Sequence, residues 1–418
     1  MKKLKKFLKA LGPGFITGAS DDDPSGIATY SQTGALFGYS QLWTALFSFP
    51  FMTVVQEMCG RIGMVTGNGL SGIIRKNYSK PLLYFAVMLL LVANTINIGA
   101  DLGAMASSAQ LIVGIPLIFW LVFMVTITLI LEIFVSYRIY SKYLKYLTFS
   151  LFAYVITAFV VKQNWQQILL STAIPQFIFD KTYLLNIVAI LGTTISPYLF
   201  FWQADEEVEE EVALNKLRSM GKGVPKINKK DIREMGVDTV AGMFFSNLIM
   251  FFIIVSVAST LGAKTVMPIQ TASQAAQALR PFTGDFTFFI FALGIIGTGL
   301  LAVPVLAGSA SYAIAEAFGW KEGLYRKFKQ AHGFYGVITI ATLIGLLINF
   351  INIQPFQMLY YTAVLNGICA PPLLIIIMLI SNDKGVMGKY TNSIISNVLG
   401  WMITFIMTGA ALMLLLPF

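Results

Sequence analysis

Ser20-Asp21-Asp22-Asp23-Pro24-Ser25-Gly26 interrupts the first apolar segment of the chain, which runs from about 11 to 37. Three consecutive acids do not belong in lipid, where each costs about 2.5–3.5 kcal/mol at a helix centre. Pro24 lacks an amide donor and restricts the residue before it. Gly26 permits backbone angles outside the helix. The stretch therefore predicts a membrane helix broken at mid-span, with carboxylates at the break. Unpaired backbone at that depth is tolerated only where it is buried in protein or lines a cavity. The remaining spans are expected to wrap that cavity.

The composition agrees with a membrane setting. Of 418 residues, 56% are hydrophobic and 12% charged, and the mean hydropathy is +0.74. A soluble chain carries roughly twice that charged fraction. The fold class expected is an all-α polytopic membrane protein forming one transmembrane domain over 1–418. Segments long enough to span, about 20 residues each, fall at about 11–37, 41–66, 81–112, 117–136, 143–162, 183–209, 236–261, 284–318, 333–350, 355–381 and 392–417. Eleven spans place the termini on opposite sides. With the N-terminus inside, 25 of the 29 Lys and Arg residues fall on the inner side, and only Lys162, Lys181, Lys264 and Arg280 fall outside. The positive-inside rule selects that orientation: a cell-membrane protein with a cytoplasmic N-terminus and an extracytoplasmic C-terminus. The net charge of +9 is thereby explained by topology, so no nucleic-acid partner is expected. Lys2 to Lys9 read as a cytoplasmic arm, because no cleavage-site pattern of a signal peptide follows.

A second interruption, Gly192-Thr193-Thr194-Ile195-Ser196-Pro197-Tyr198, lies in the sixth span. The first span runs from inside to outside and the sixth from outside to inside. Interrupted helices at corresponding places in two oppositely oriented halves point to a transporter binding site. The inverted repeats would be about 11–162 and 183–381, with the helix at 392–417 an addition.

Carboxylates, unwound carbonyls and hydroxyls are hard ligands suited to Mg²⁺, Ca²⁺ or Mn²⁺. Asp23, at the break, is the first candidate. Asp21 and Asp22 fan about 100° apart around a helix, so the three acids cannot all face one point. These two are read as lining an aqueous vestibule or as accessory ligands. Thr193 and Ser196 offer hydroxyls or carbonyls, or else bond back to their own helix. Small residues at Gly26 and Ser196 are expected to leave room for an ion that keeps part of its water. Cys59 and Cys369 give no disulfide framework or metal-ligand spacing, and the single His332 cannot build a histidine site.

Several motifs resemble the NRAMP divalent-metal transporters across essentially the whole chain. They are Leu11-Gly12-Pro13-Gly14-Phe15, Asp23-Pro24-Ser25-Gly26-Ile27-Ala28-Thr29, Gln32-Thr33-Gly34-Ala35, the run from Arg61 to Gly67, and in span 8 the run from Gly294 to Ala302 with Ala315-Glu316. The resemblance implies a LeuT-type fold with helices 1 and 6 unwound at mid-membrane and a metal held between them. The family's metal-binding Asp matches Asp23. Its following Asn falls on Gly26, and its Met-Pro-His motif falls on Ser196-Pro197-Tyr198. The acidic pair of span 3 keeps Asp101 but has Ala104 at the second position, and the arginine of span 9 is missing. Asn366 is the candidate for the family's span 10 ligand. The departures resemble the NRAMP-related magnesium transporter branch, since a thioether favours transition metals.

The expected function is uptake of Mg²⁺ and Mn²⁺ by alternating access, not proton-coupled, by a monomer without cofactors. One alternative is a proton-coupled Mn²⁺ or Fe²⁺ symporter. Others are an organic-solute carrier of the same fold, or a receptor or scaffold. No nucleophile–base constellation points to an enzyme. The acidic run Asp205 to Glu211 is read as a solvated helix end, with a cation funnel as the other reading. Glu316 is expected to gate an exit or to pair with Lys321.

Overall fold

The computed structural model describes residues 12–135, 147–262, 267–351 and 353–414. The basic arm Lys2–Lys9 and the inner-loop residues Arg138, Lys142 and Lys145 lie outside that range. The main helices are α1 Pro13–Asp21, α2 Pro24–Phe37, α3 Trp43–Thr66, α4 Leu70–Asn77, α5 Lys80–Val113, α6 Leu117–Phe134, α7 Phe152–Val160 and α8 Trp165–Ala173. They continue as α9 Lys181–Thr194, α10 Pro197–Ala213, α11 Lys229–Val257, α12 Thr287–Phe318, α13 His332–Ile348, α14 Pro355–Asn382 and α15 Ile394–Met413. Among the described residues there is no β-strand, only an isolated bridge between Ser219 and Lys222.

Seven helical segments in this range are long and apolar enough to cross a membrane, α9 and α10 counting as one. The other expected spans are occupied by the broken pair α1–α2, by α3, and by the shorter apolar helices that include α7 and α13. Both expected breaks are present. Proline starts each second half, at Pro24 and Pro197, where its missing amide donor has no helical acceptor to lose.

The packing exchanges under a swap of the two halves. α1 and α2 pack on α11, the first span on the seventh; α10 packs on α3, the sixth on the second. α5 and α12, the third and eighth spans, pack against each other at the centre. Small residues allow these approaches. A Cβ built on Gly18 would lie 2.3 Å from the Gly242 carbonyl carbon, and one on Gly63 would lie 2.1 Å from the Ala204 oxygen. Without water to drive association, close backbone packing of this kind is what holds membrane helices together.

Three features depart from the sequence reading. The amphipathic α4 follows α3 at its basic-loop end, α8 lies between the fifth and sixth spans, and α11 finishes in a π-turn over Ala258–Gly262. α4 and α8 are too short to span, so a search for 20-residue apolar runs passes over them.

Candidate metal-ion site

The break in the first span is two residues wide. Asp22 has φ −81° and ψ 48°, and Asp23 is extended at φ −69° and ψ 171°. That extended geometry makes Asp23 the N-cap of α2. Its Oδ1 accepts the Gly26 amide at 2.7 Å and the Ser25 hydroxyl at 2.6 Å. Its Oδ2 faces away from the cap. There it accepts the Asn97 side-chain amide at 3.2 Å, and the Tyr198 hydroxyl lies 3.4 Å away. Tyr198 also reaches the Ser20 carbonyl, at 3.1 Å. One buried carboxylate thus joins the first, third and sixth spans. The second break, at Ile195 and Ser196, is likewise non-helical, with ψ of 61° and 136°.

The other expected residues divide. Thr193 reaches the site, its hydroxyl 3.5 Å from that of Ser25. Gly26 lies inside α2, so its part is close approach and not a departure from helical angles. A Cβ there would meet Thr193 Oγ1 at 3.2 Å, the Asp21 carbonyl at 3.3 Å and the Tyr30 ring at 3.3 Å. The space expected beside Gly26 for a water-carrying ion is therefore filled by these neighbours. Ser196 follows the second of its two readings: its hydroxyl donates back to the Gly192 and Thr193 carbonyls of its own helix, at 2.7 and 2.8 Å. The carbonyls freed by the helix break lie nearer than any other acceptor.

Asp21 and Asp22 line no open vestibule. Both are buried against α11, where the Ser246 hydroxyl donates to Asp21 Oδ2 at 2.5 Å and lies 3.4 Å from Asp22 Oδ1. Asp101 is fully buried, with Asp23 as its charged neighbour, and among the described residues neither carboxylate oxygen has a hydrogen-bond partner. Asn366 is buried on α14 beside the second break, where Ala363 and Gly367 pack on Gly192, and its Nδ2 has no partner among the described residues. Among the described residues no three His, Cys, Asp or Glu side chains converge as a metal-ligand group. The hydrogen-bond donors to Asp23 are all neutral.

The family model for proteins described as natural resistance-associated macrophage protein-like matches residues 14–417. The chain belongs to the Nramp family. Among its relatives is the divalent metal cation transporter MntH of Caldanaerobacter subterraneus, 24% identical over 99% of this chain and 94% of that protein. The MntH of Deinococcus radiodurans is 25% identical over 96% of this chain and 88% of its own. Among solved structures, the manganese transporter of Eremococcus coleocola matches with a TM-score of 0.75 at 16% identity, covering 98% of this chain and 86% of that one. The inward-facing conformation of Mhp1 matches with a TM-score of 0.57 at 13% identity, covering 97% of this chain and 89% of that one. The fold is LeuT-type, with two inverted five-helix repeats and broken first and sixth spans.

In this Nramp chain two residues escaped the sequence reading, Asn97 at the site and Asp238 at the far end of α1. Asn97 is the main one. A signal for it exists: Asn94, Asn97, Asp101 and Ser108 recur at helical spacing on one face of an otherwise apolar α5. Asp238 is another. It sits on α11, and its carboxylate accepts the amides of Gly12, Gly14 and Phe15 at 2.9, 2.8 and 3.3 Å, capping α1 from a different helix. No local pattern announces a cap supplied from more than 220 positions away.

The acidic run at the end of α10 is not a solvated helix end. Asp205, Glu207 and Glu211 are buried. Glu207 accepts from Gln203 at 2.9 Å, and Glu209 accepts from the Tyr312 hydroxyl and the Leu324 amide. Among the described residues Glu316 forms no ion pair with Lys321; its carboxylate accepts the Gly69 and Gly72 amides at 2.6 and 2.8 Å and so holds the N-terminus of α4, with Arg75 and Lys76 as nearby positive charges. A carboxylate is favourable there because free amides and the helix dipole meet at that end.

Proposed function

We propose that this Nramp-family protein is a divalent-metal transporter that takes up Mn²⁺ and Mg²⁺ by alternating access, without proton coupling. The observation that carries the reading is Asp23, a buried carboxylate at the break that meets the hydroxyl and amide groups of Ser25, Asn97 and Tyr198, with the Thr193 hydroxyl next to that of Ser25. Hard oxygen donors of this kind suit hard cations, and no thioether or imidazole takes part in these contacts. Among the described residues the buried Asn97 Oδ1 and both Asp101 oxygens have no hydrogen-bond partner, and each such group costs about 1–3 kcal/mol. A partly hydrated cation beside Asp23 would recover that cost. Two positive charges crossing about 100 mV inward gain roughly 4.6 kcal/mol, which drives uptake without protons. The charge distribution supports a cell-membrane protein with its N-terminus in the cytoplasm; a monomer is the assembly proposed with it. The matched breaks support repeats over about 11–162 and 183–381. Asp21, Asp22, Asp101 and Asn366 are accessory to the site.

The test is uptake of Mn²⁺ and Mg²⁺ by the purified protein in proteoliposomes, beside Asp23→Ala, with a pH dye inside. Saturable uptake that is lost in the variant, with no internal acidification, supports the reading. Unchanged uptake by the variant removes Asp23 from its role. One observation favours a second reading, proton-coupled Mn²⁺ or Fe²⁺ symport: Asp101 lies buried, without a hydrogen-bond partner among the described residues and with Asp23 as its charged neighbour. Acidification in step with metal influx, lost in Asp101→Asn, would select it.

A further inference from the structure

A cavity of about 620 Å³ lies between α3, the first turns of α11 and the segment leading into α15. It is remote from both helix breaks, and the transport reading makes no use of it. One wall is apolar, formed by Val54, Val237 and Val240. Val237 and Val240 remain 53% and 45% exposed, so this wall faces outward from the helix bundle. The rim is cationic, carrying Arg61, Arg233 and Lys389 against the single acid Glu57.

The rim charges have different duties. Arg61 pairs with Glu57 at 2.9 Å and donates to the Tyr390 carbonyl and to Asn392 Oδ1, at 2.5 and 2.7 Å. It is therefore a fixed part of the wall, its charge neutralised by Glu57. Arg233 and Lys389 are exposed, and neither takes part in an ion pair among the described residues. The Lys389 ammonium lies over the Tyr390 ring, 5.2 Å from its centroid, which keeps it at the mouth. Ser393 and Ser396 add hydroxyls on the same side, 2.9 Å apart. Two uncompensated positive charges thus stand at one edge of the cavity and a valine wall at the other.

We infer that this cavity binds one anionic phospholipid, with its phosphate between Arg233 and Lys389 and its acyl chains along Val54, Val237 and Val240. A soluble phosphate would use the cations and leave the valine wall without a role; a neutral lipid would use the wall and leave the cations uncompensated. An amphiphile with a negative headgroup matches both halves, and basic pockets between membrane helices on the cytoplasmic side bind such headgroups. The inference rests on the orientation proposed above, which puts this end of α3 and α11 at the inner leaflet.

Native mass spectrometry and thermal unfolding of the full chain test the site, with phosphatidylglycerol added to phosphatidylcholine nanodiscs. One retained phosphatidylglycerol and a higher Tm are expected for the wild type. Arg233→Gln with Lys389→Gln should weaken lipid retention roughly tenfold or more. Gly236→Trp should do the same by filling the cavity, since a Cβ at Gly236 meets nothing within 4 Å and the chain can accept the larger side chain. Tm in phosphatidylcholine alone reports whether each variant is folded. Equal stabilisation by the two lipids, retention undiminished in a folded variant, or the same stabilisation by glycerol phosphate alone would each overturn the inference. Mn²⁺ uptake by the wild type in phosphatidylcholine vesicles stands apart from these results: its failure counts against the transport reading and leaves the lipid site to its own measurements.

Discussion

The Asn97 side-chain amide donates to Asp23 Oδ2 at 3.2 Å, joining the middle of α5 to the break between α1 and α2. The bond orients the oxygen that the N-cap does not use. Groups that orient a ligand from one step behind it typically carry an effect of about 10–100-fold on metal affinity when removed. Asn97→Ala is expected to weaken Mn²⁺ binding by about that range while the protein stays folded. Calorimetry beside a thermal unfolding curve checks it. Unchanged affinity in a folded variant would reduce Asn97 to a packing residue.

Asp238 supplies the cap that α1 lacks in its own sequence. Removing an N-cap costs about 0.5–2 kcal/mol, and here three amides lose their acceptor. Asp238→Ala should lower the Tm and loosen the first turn of α1. With Phe15→Cys as a reporter, labelling by a membrane-impermeant thiol reagent should speed up in the Asp238→Ala background. Cys59 and Cys369 are buried and give little background. An unaltered labelling rate would mean that α1 is held by its glycine seam alone.

That seam makes its own prediction. Gly18→Leu forces a side chain into a space where the Cβ alone lies 2.3 Å from the Gly242 backbone. The expected loss is at least about 1–3 kcal/mol, seen as a lower Tm or failure to recover folded protein. Gly409→Ala is the matched control: a Cβ there meets nothing within 4 Å, and replacing a helical glycine adds up to about 1 kcal/mol of helix stability. Equal behaviour of the two variants would show that α1 and α11 do not pack as described.

Much of the site was legible because its chemistry is local. The acids before Pro24 and the hydroxyl-rich turn before Pro197 are costly in lipid unless the helix breaks, so both breaks could be placed within a residue or two. What could not be read is where each side chain turns once the helix has ended. Ser196 finds its own freed carbonyls first, Asp21 finds Ser246, and the space beside Gly26 goes to Thr193 and Tyr30. Which helix lies opposite decides the cases of Asp21 and Gly26, while Ser196 settles on its own helix. The same holds for the acids of α10: their spacing allows a wet surface, and the approach of α3, α12 and the segment after α12 buries them.

Glu322, in the segment between α12 and α13, supplies a pH test. Burial, then the nearby Glu316, push its carboxyl up to about 9, against the pull of Arg326 and Arg75; Glu209 adds to the rise. An acid raised in the folded state holds its proton there after the unfolded chain has released it. The stability it gives is present below its ordinary value of 4.5 and is lost as pH climbs toward about 9. The wild-type Tm should fall across that window, and Glu322→Gln should flatten the slope. A slope identical in both proteins would place the titration elsewhere.

The two-residue gap at Asp22 and Asp23 also has a mechanical meaning. α1 has nine residues, a rod about 13 Å long at 1.5 Å per residue. Pivoted at Asp22, a turn of about 20° carries its far end roughly 4–5 Å, from that rod length. That displacement exceeds the width of a water molecule, while the pivot itself hardly moves. Asp23, on the other side of the joint, belongs to α2 and stays with the binding geometry. In the alternating access proposed above, such a joint would let α1 turn at the basic-loop end while Asp23 stays with α2.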